Sequence, residues 1–247
     1  MKLFFSFSLT GDLQKLFQIC VYGDTHGQLA DILKNIGPNG EDLNGVAPIT
    51  VACWNARLEV VRALLEHEDI DVAVKDKFGR SPFHAAVMGL ESECYPYSAY
   101  KDNLNFKAER IAYFKPDYEP QDSQNYFEIL KLLLALEDID MNAKLAYDHP
   151  IVLAIVTHAT LKVTRLLLEN PKLDVNEIDC KLAEEMAIRQ HHHHHLKLLA
   201  EYPDKFDMNH IFANDLSLLD FSIKITSNGC MKFLLDYPTA NKELNAP

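Results

Sequence analysis

The chain has 247 residues, of which 48% are hydrophobic and 24% charged, so it is long enough to bury a sizeable core. The formal net charge of −12 argues against nucleic-acid binding, which needs clustered Lys and Arg. Five widely spaced cysteines favour a reducing compartment over a disulfide framework or a zinc site. No apolar run reaches the roughly 18 residues that a membrane span requires, so we expect none.

The first predicted element is a degenerate helix pair over residues 13–41, which contains the string YGDTHGQL at 22–29. When this string is aligned with WNARLEVVRALL, Tyr22 falls on Trp54. The alignment places residues 23–25 in the turn between the two helices, where Gly and Asp are common. This interpretation needs no catalytic role for the string.

The same string also resembles the first metal-binding signature, G-D-x-H-G, of the phosphoprotein phosphatases. That resemblance implies that Asp24 and His26 are ligands of a two-metal hydrolytic centre. The family's two other signatures, G-D-x-V-D-R-G and G-N-H-E, do not occur in the sequence, and two side chains cannot hold two ions. We therefore predict no catalytic residue, no metal ligand and no cofactor. The alternative is a degenerate or cryptic metal-dependent phosphoesterase that uses Asp24 and His26.

The next elements repeat along the chain. The strings GVAPITVA (45–52) and GRSPFHAA (79–86) share a pattern, and their last residues, Ala52 and Ala86, lie 34 positions apart. This pattern resembles the ankyrin repeat, whose signature is T-P-L-H-x-A with a period near 33. The small residue recurs in register through the rest of the chain, at Ala52, Ala86, Ala154, Ala187 and Ser222.

The resemblance implies an all-α ankyrin-repeat solenoid of about six helix-pair repeats, which we predict to form a single domain over 1–247. The predicted boundaries are a first repeat at 13–41, repeats at 42–75, 76–143, 144–176 and 177–211, and a last repeat at 212–240. Leucine pairs follow the small residue by 11 to 13 positions in four repeats, and by 47 or 48 in the third, which carries an insertion. They predict outer helices near 59–67, 126–136, 162–169, 195–202 and 229–236. We expect Leu64 and Leu133 to be buried between repeats.

The third repeat carries an insertion at about 90–125 that is rich in tyrosine: Tyr95, Tyr97, Tyr100, Tyr113 and Tyr118. Tyrosine provides a large contact area at low entropic cost, which suits a binding site. The same rings could instead only anchor a structural loop, and the sequence does not choose between the two.

Five consecutive histidines at 191–195 fall in the fifth repeat, between its two helices and at the start of the outer helix. Consecutive histidines can bind transition metals. The favoured interpretation is a solvated turn, with metal binding as the alternative.

The ankyrin resemblance implies a partner protein on the concave face, which is built from finger residues and exposed inner-helix positions. The matching inner-helix positions are Tyr22, Trp54, Met88, Val156, Arg189 and Lys224, and the finger positions include Lys77, Phe78, Arg80, Leu145, Ala146, Tyr147 and Asp148. We predict that Trp54, Phe78, Arg80 and Met88 form one exposed patch, with Arg80 reaching an acidic group of the partner. The predicted function is protein binding and not catalysis, as an adaptor, an inhibitor or a microbial effector in the cytoplasm or the host cytosol.

Overall fold

The computed structural model describes residues 11–89, 122–144, 150–156, 160–212 and 215–237. These residues contain twelve α-helices and no β-strand, so the predicted all-α fold is confirmed. The helices belong to two compact units, Met1–Met141 and Asn142–Pro247. The predicted single domain, the repeat boundaries and the number of repeats stay predictions.

Each unit consists of three helix pairs in chain order. The first unit contains α1 (Gly11–Tyr22), α2 (Leu29–Ile36), α3 (Pro48–Trp54), α4 (Leu58–Leu65), α5 (Pro82–Gly89) and α6 (Asp122–Leu134). The second contains α7 (Pro150–Val156), α8 (Leu161–Leu168), α9 (Glu177–Arg189), α10 (His193–Leu199), α11 (Leu218–Lys224) and α12 (Asn228–Asp236). The predicted outer helices correspond to α4, α6, α8, α10 and α12, with boundaries that differ by a few residues.

The helices stack in two layers within each unit. Inner helices α1, α3 and α5 contact one another in order, and each packs on its own outer helix, α2, α4 or α6. The second unit repeats this arrangement, with α7, α9 and α11 inside and α8, α10 and α12 outside. Because one helix pair cannot bury its apolar face alone, this stacking provides the core of each unit.

Local sequence explains where the inner helices begin. Proline starts α3, α5 and α7, at a position where its missing N–H is not needed. Ser81 caps α5, because its hydroxyl accepts a hydrogen bond from the N–H of His84 at 3.3 Å. Ala47, which precedes α3, provides no side-chain cap.

The register of the repeat is confirmed by burial. All five small residues are fully buried, and so are Leu64 and Leu133 of the outer helices. A small side chain lets the two helices approach closely, while the leucines fill the space between stacked pairs. No helix in the described ranges is both long and apolar enough to cross a membrane.

Candidate partner-binding surface

The loops that precede α3 and α5, residues 42–46 and 76–80, are finger turns of the repeat, and both have the same construction. The carboxylate of Asp42 accepts hydrogen bonds from the backbone N–H groups of Asn44 at 2.8 Å and Val46 at 2.9 Å. The carboxylate of Asp76 does the same for Phe78 and Arg80, both at 2.9 Å. In each turn the aspartate side chain thus adds two hydrogen bonds to the backbone bonds of the loop and stabilises the turn.

Glycine provides the tight bend in both fingers. Gly45 has φ 72° and Gly79 has φ 79°, a region that side chains rarely adopt. The two turns are also joined to each other, since the N–H of Lys77 donates to the carbonyl oxygen of Asn44 at 2.9 Å. The ammonium group of Lys77 contacts the side-chain oxygen of Asn44 as well. The pair of fingers is therefore cross-linked by hydrogen bonds at its tips.

These tips present apolar side chains to solvent. Leu43 is 72% exposed and Phe78 is 41% exposed. The ammonium of Lys77 lies 4.9 Å from the centre of the Phe78 ring. We call Leu43, Asn44, Lys77 and Phe78 the fingertip surface. Leu43 is absent from the predicted site residues, and the signal that identifies it is an apolar residue directly after the aspartate of a D-x-x-G turn.

Arg80 is not available to a partner, so the prediction of an exposed arginine is wrong. Arg80 is buried, with its Nε 2.5 Å from Oδ2 of Asp76. The guanidinium lies 4.9 Å from the ring centre of Phe78 and 5.7 Å from that of Trp54. The buried carboxylate of Asp76 needs a counter-charge, and Arg80 provides it while supporting the two rings.

Met88 is also buried, so the predicted continuous exposed patch is wrong at this position. Every residue of α5 is buried, and only 6% of Met88 is exposed. A helix that is apolar on all sides has no face to offer to solvent. Trp54 is half-buried, and its carbonyl oxygen accepts a hydrogen bond of 2.5 Å from the hydroxyl of Tyr126.

The remaining predicted residues are dispersed. Tyr22, the last residue of α1, is 44% exposed. In the second unit, Arg189 pairs with Glu185 at 2.6 Å and lies 4.9 Å from the ring centre of Phe221. Lys224 is exposed at the end of α11. The predicted finger and insertion residues Leu145, Ala146, Tyr147, Asp148, Tyr95, Tyr97, Tyr100, Tyr113 and Tyr118, and the side chain of Val156, lie outside the described residues.

The GDTHG string is the turn between α1 and α2, as predicted. Both carboxylate oxygens of Asp24 accept backbone hydrogen bonds at the start of α2, from Gln28 at 2.8 Å and from Leu29 at 3.1 Å. Gly23 and Gly27 have positive φ, and His26 is exposed. The carboxylate of Asp24 therefore satisfies N–H groups at the start of α2, whose N-cap residue is Gln28. Among the described residues, no group of three or more His, Cys, Asp or Glu side chains could hold a metal ion.

The histidine run lies where predicted, in the turn and at the start of α10, but the prediction that it is solvated is wrong at His195, which is buried. His191 has φ 59°, close to Ala56 at 53° and Thr226 at 58°, and each lies four residues after the small residue of its repeat. The turn after the inner helix therefore requires a left-handed residue in all three repeats. The helix α10 begins at His193.

Comparison with known proteins identifies the repeat. Residues 42–94 match a family model described as ankyrin repeats in many copies. The chain contains ankyrin repeats. Its fold is similar to a chain in the solved structure of the Bd0816 predatory endopeptidase from Bdellovibrio bacteriovorus in complex with the immunity protein Bd3460. The TM-score is 0.61 at 14% identity, over 88% of this chain and 94% of the other. No curated protein sequence matches.

The ankyrin signature explains one further polar residue near the fingertip surface. His84, the histidine of the signature, is fully buried, and its Nδ1 lies 2.8 Å from the hydroxyl of Ser81. This contact connects the first turn of α5 to the residue that follows the Arg80 finger. In this ankyrin repeat the histidine therefore has a structural role.

Proposed function

We propose that this ankyrin-repeat chain is a protein-interaction module whose partner binds the fingertip surface. The observation that carries the proposal is the exposure of Leu43 and Phe78 on turns that are internally fixed. Apolar side chains that are exposed on a rigid surface lose little conformational entropy when a partner covers them. Aromatic and apolar residues of this kind are also common among interface hot spots.

The partner that fits this surface is a protein with an apolar pocket that has carboxylates at its edge. The pocket would receive Phe78 and Leu43, and the carboxylates would lie near the exposed lysines Lys75 and Lys77. Such a module can act as an adaptor, an inhibitor or an effector. Cys20, Cys53 and Cys230 are buried thiols outside any disulfide, which supports a cytoplasmic site of action.

We further propose that the chain is not an enzyme. The strongest catalytic alternative uses Asp24 and His26, but both oxygens of Asp24 already accept helix N–H groups. A carboxylate that is committed to a helix start is a poor ligand for two metal ions. The test is hydrolysis of a phosphomonoester with added Mn²⁺, for which we expect no turnover. Turnover that disappears in Asp24→Asn would establish the phosphoesterase instead.

The binding proposal can be tested by photo-crosslinking from defined positions. A benzoylphenylalanine is placed at position 43, 78 or 36, and each protein is irradiated in a lysate of the cells that produce it. Ile36 is the matched control, because it is 40% exposed, close to the 41% of Phe78, but lies on the outer helix α2. We expect the same adduct from positions 43 and 78 and none from position 36.

Affinity for the crosslinked partner then provides a second test. Replacing Leu43 and Phe78 together by Ser removes two apolar contacts, so Kd should rise by about tenfold or more. Ile36→Ser should leave Kd within about twofold, and neither variant should change the melting temperature by more than a few degrees. An equal loss of affinity in both variants would argue against the fingertip surface.

A further inference from the structure

Glu184 breaks the apolar register of the ankyrin repeat. It lies three residues before the small residue Ala187, a position that is occupied in the other repeats by Ile49, Phe83, Ile151 and Leu219. All four of those side chains are buried, and Glu184 is buried as well, with 0% of the residue exposed. A carboxylate therefore occupies a site that is otherwise part of the hydrophobic core. Burial of a carboxylate is costly unless a partner compensates it.

The partner of Glu184 is His210, in the finger that follows α10. The Nδ1 of His210 lies 2.6 Å from Oε2 of Glu184 and 3.1 Å from the carbonyl oxygen of Asp207. His210 is itself buried, with 7% exposed. Within the described residues, neither carboxylate oxygen of Glu184 has a hydrogen bond of ordinary geometry, and Nε2 of His210 has no hydrogen-bond partner. The pair is thus buried but incompletely satisfied.

Few other charges act on this pair. Those that do are Lys181 of α9, one turn before Glu184, and Asp207 of the same finger. The inner helix α7 contributes no titratable side chain to the packing against α9. The other neighbours also carry titratable residues: on α10 these are His193, His194, His195 and Lys197, and on α11 they are Asp220 and Lys224. In direct contact with Glu184, His210 is the group that gains or loses a proton near neutral pH.

A row of rings connects the buried pair to the surface. The His210 ring meets Phe212 edge-on at 4.7 Å, and Phe212 lies 5.2 Å from Phe221. The guanidinium of Arg189, one of the predicted partner-binding residues, lies over Phe221 at 4.9 Å. Between His210 and Phe212, the side chain of Ile211 is 52% exposed. Movement of His210 would therefore displace side chains at the surface of the second unit.

We propose that Glu184 and His210 form a proton-operated latch. When His210 is protonated, the ion pair holds the finger of residues 206–212 against α9. When the proton leaves, an uncompensated carboxylate remains in the core, and the finger loosens together with the surface around Ile211 and Arg189. The latch lies within the second unit and does not depend on the proposed role of the fingertip surface.

The direction of the pH effect follows from the pKa of each group. Burial lowers the pKa of His210, but the adjacent carboxylate of Glu184 more than offsets this, so the pKa is raised above 6.5. Burial raises the pKa of Glu184 above 4.5, with His210 opposing the shift. A raised pKa in the folded state means that stability is present at lower pH and is lost as pH rises through that pKa. The latch is therefore closed in mild acid and opens in mild alkali.

Hydrogen exchange on the full chain tests the latch. Exchange of the backbone amides of residues 206–212 is measured between pH 6 and 9 and corrected for the intrinsic pH dependence of exchange. The opening equilibrium constant of this finger should rise with pH above 6.5. The rise should reach about tenfold per pH unit between the pKa of His210 in the open finger and its raised pKa in the closed finger. The His194→Gln variant, which removes an exposed imidazole from α10, should show the same rise.

The double variant Glu184→Leu with His210→Val restores the apolar register and should show no rise. A rise that persists in this variant would overturn the proposal. The proposal is also testable in the wild-type chain alone, by following the imidazole carbon signal of His210 by NMR. A pKa at or below 6.5 for this imidazole, or protection of residues 206–212 that is independent of pH, would overturn it without any variant.

Discussion

The two units contain buried charge pairs of opposite character. In the first unit, Asp76 accepts two backbone N–H groups and the Nε of Arg80, so its oxygens are well satisfied. In the second unit, Glu184 lies 2.6 Å from His210, and neither of its carboxylate oxygens has a hydrogen bond of ordinary geometry among the described residues. The Asp76–Arg80 pair lies within one finger turn, whereas the Glu184–His210 pair joins a finger to the inner helix α9.

The difference lies in what a change of pH does to each pair. Arginine stays protonated at any ordinary pH, so the Asp76–Arg80 pair is a permanent structural element that fixes the tip with Phe78. Histidine gains or loses its proton near neutral pH, so the Glu184–His210 pair is conditional. The Asp76–Arg80 pair therefore holds its finger at any ordinary pH, whereas the Glu184–His210 pair holds its finger only while His210 carries a proton.

The largest change in the free energy of unfolding should come from breaking the Asp76–Arg80 pair. The change Asp76→Ala removes three hydrogen bonds and leaves Arg80 buried without a counter-charge. We expect the free energy of unfolding to fall by about 3–5 kcal/mol, measured by urea denaturation. A loss below about 1 kcal/mol would mean that the pair is not buried in solution.

Mutation of an uncharged core residue provides a reference value for this loss of unfolding free energy. Leu64→Ala in α4, or Leu133→Ala in α6, deletes a fully buried side chain and should lower the unfolding free energy by about 2–5 kcal/mol. The same denaturant series measures all three variants. If the leucine changes cost less than about half a kcal/mol, the register of the repeats is wrong.

Replacing the Glu184–His210 pair by apolar residues should instead raise the free energy of unfolding. Because burial of an ion pair in place of apolar side chains is costly, Glu184→Leu with His210→Val should raise the unfolding free energy by about 1–4 kcal/mol. The gain should be greater at pH 8 than at pH 6, since the wild-type chain loses the latch as pH rises. Destabilisation at both pH values would show that the pair contributes to stability in the same way as Asp76–Arg80.

The smallest effects concern the GDTHG turn. Asparagine keeps only one of the two acceptor oxygens that Asp24 uses, on a half-buried turn, so Asp24→Asn should lower the unfolding free energy by only about 1 kcal/mol. His26→Ala alters an exposed side chain and should have a similarly small effect. Partner binding should be unchanged in both, and a loss of binding would place this turn in the interface.

The helices and their register could be predicted from the sequence because the same residue types recur from one repeat to the next. The small residue at Ala52, Ala86 and Ala187 and the outer-helix leucines recur at a fixed spacing, and these positions are buried as expected. The turn at Asp24 could be assigned for the same reason, since alignment with a neighbouring repeat explained it better than a partial metal signature.

The exposed residues were harder to predict, because register gives a position and not its neighbours. Met88 lies at a position that the family exposes, but α5 is buried on all sides. Arg80 ends the finger turn, but its guanidinium pairs with the carboxylate of Asp76 and is buried. Leu43 could not be predicted from the family signature because it matches no signature residue. Glu184 could not be predicted because one polar residue at an otherwise apolar position forms no motif. These outcomes depend on contacts between distant residues.

The most direct test of the central proposal is photo-crosslinking from position 78 compared with position 36. The two native side chains are equally exposed, so solvent access does not distinguish them. We expect one specific protein adduct from position 78, shared with position 43 and absent at position 36. An adduct that forms from position 36 but not from 43 or 78 would contradict the fingertip surface as the site of partner binding.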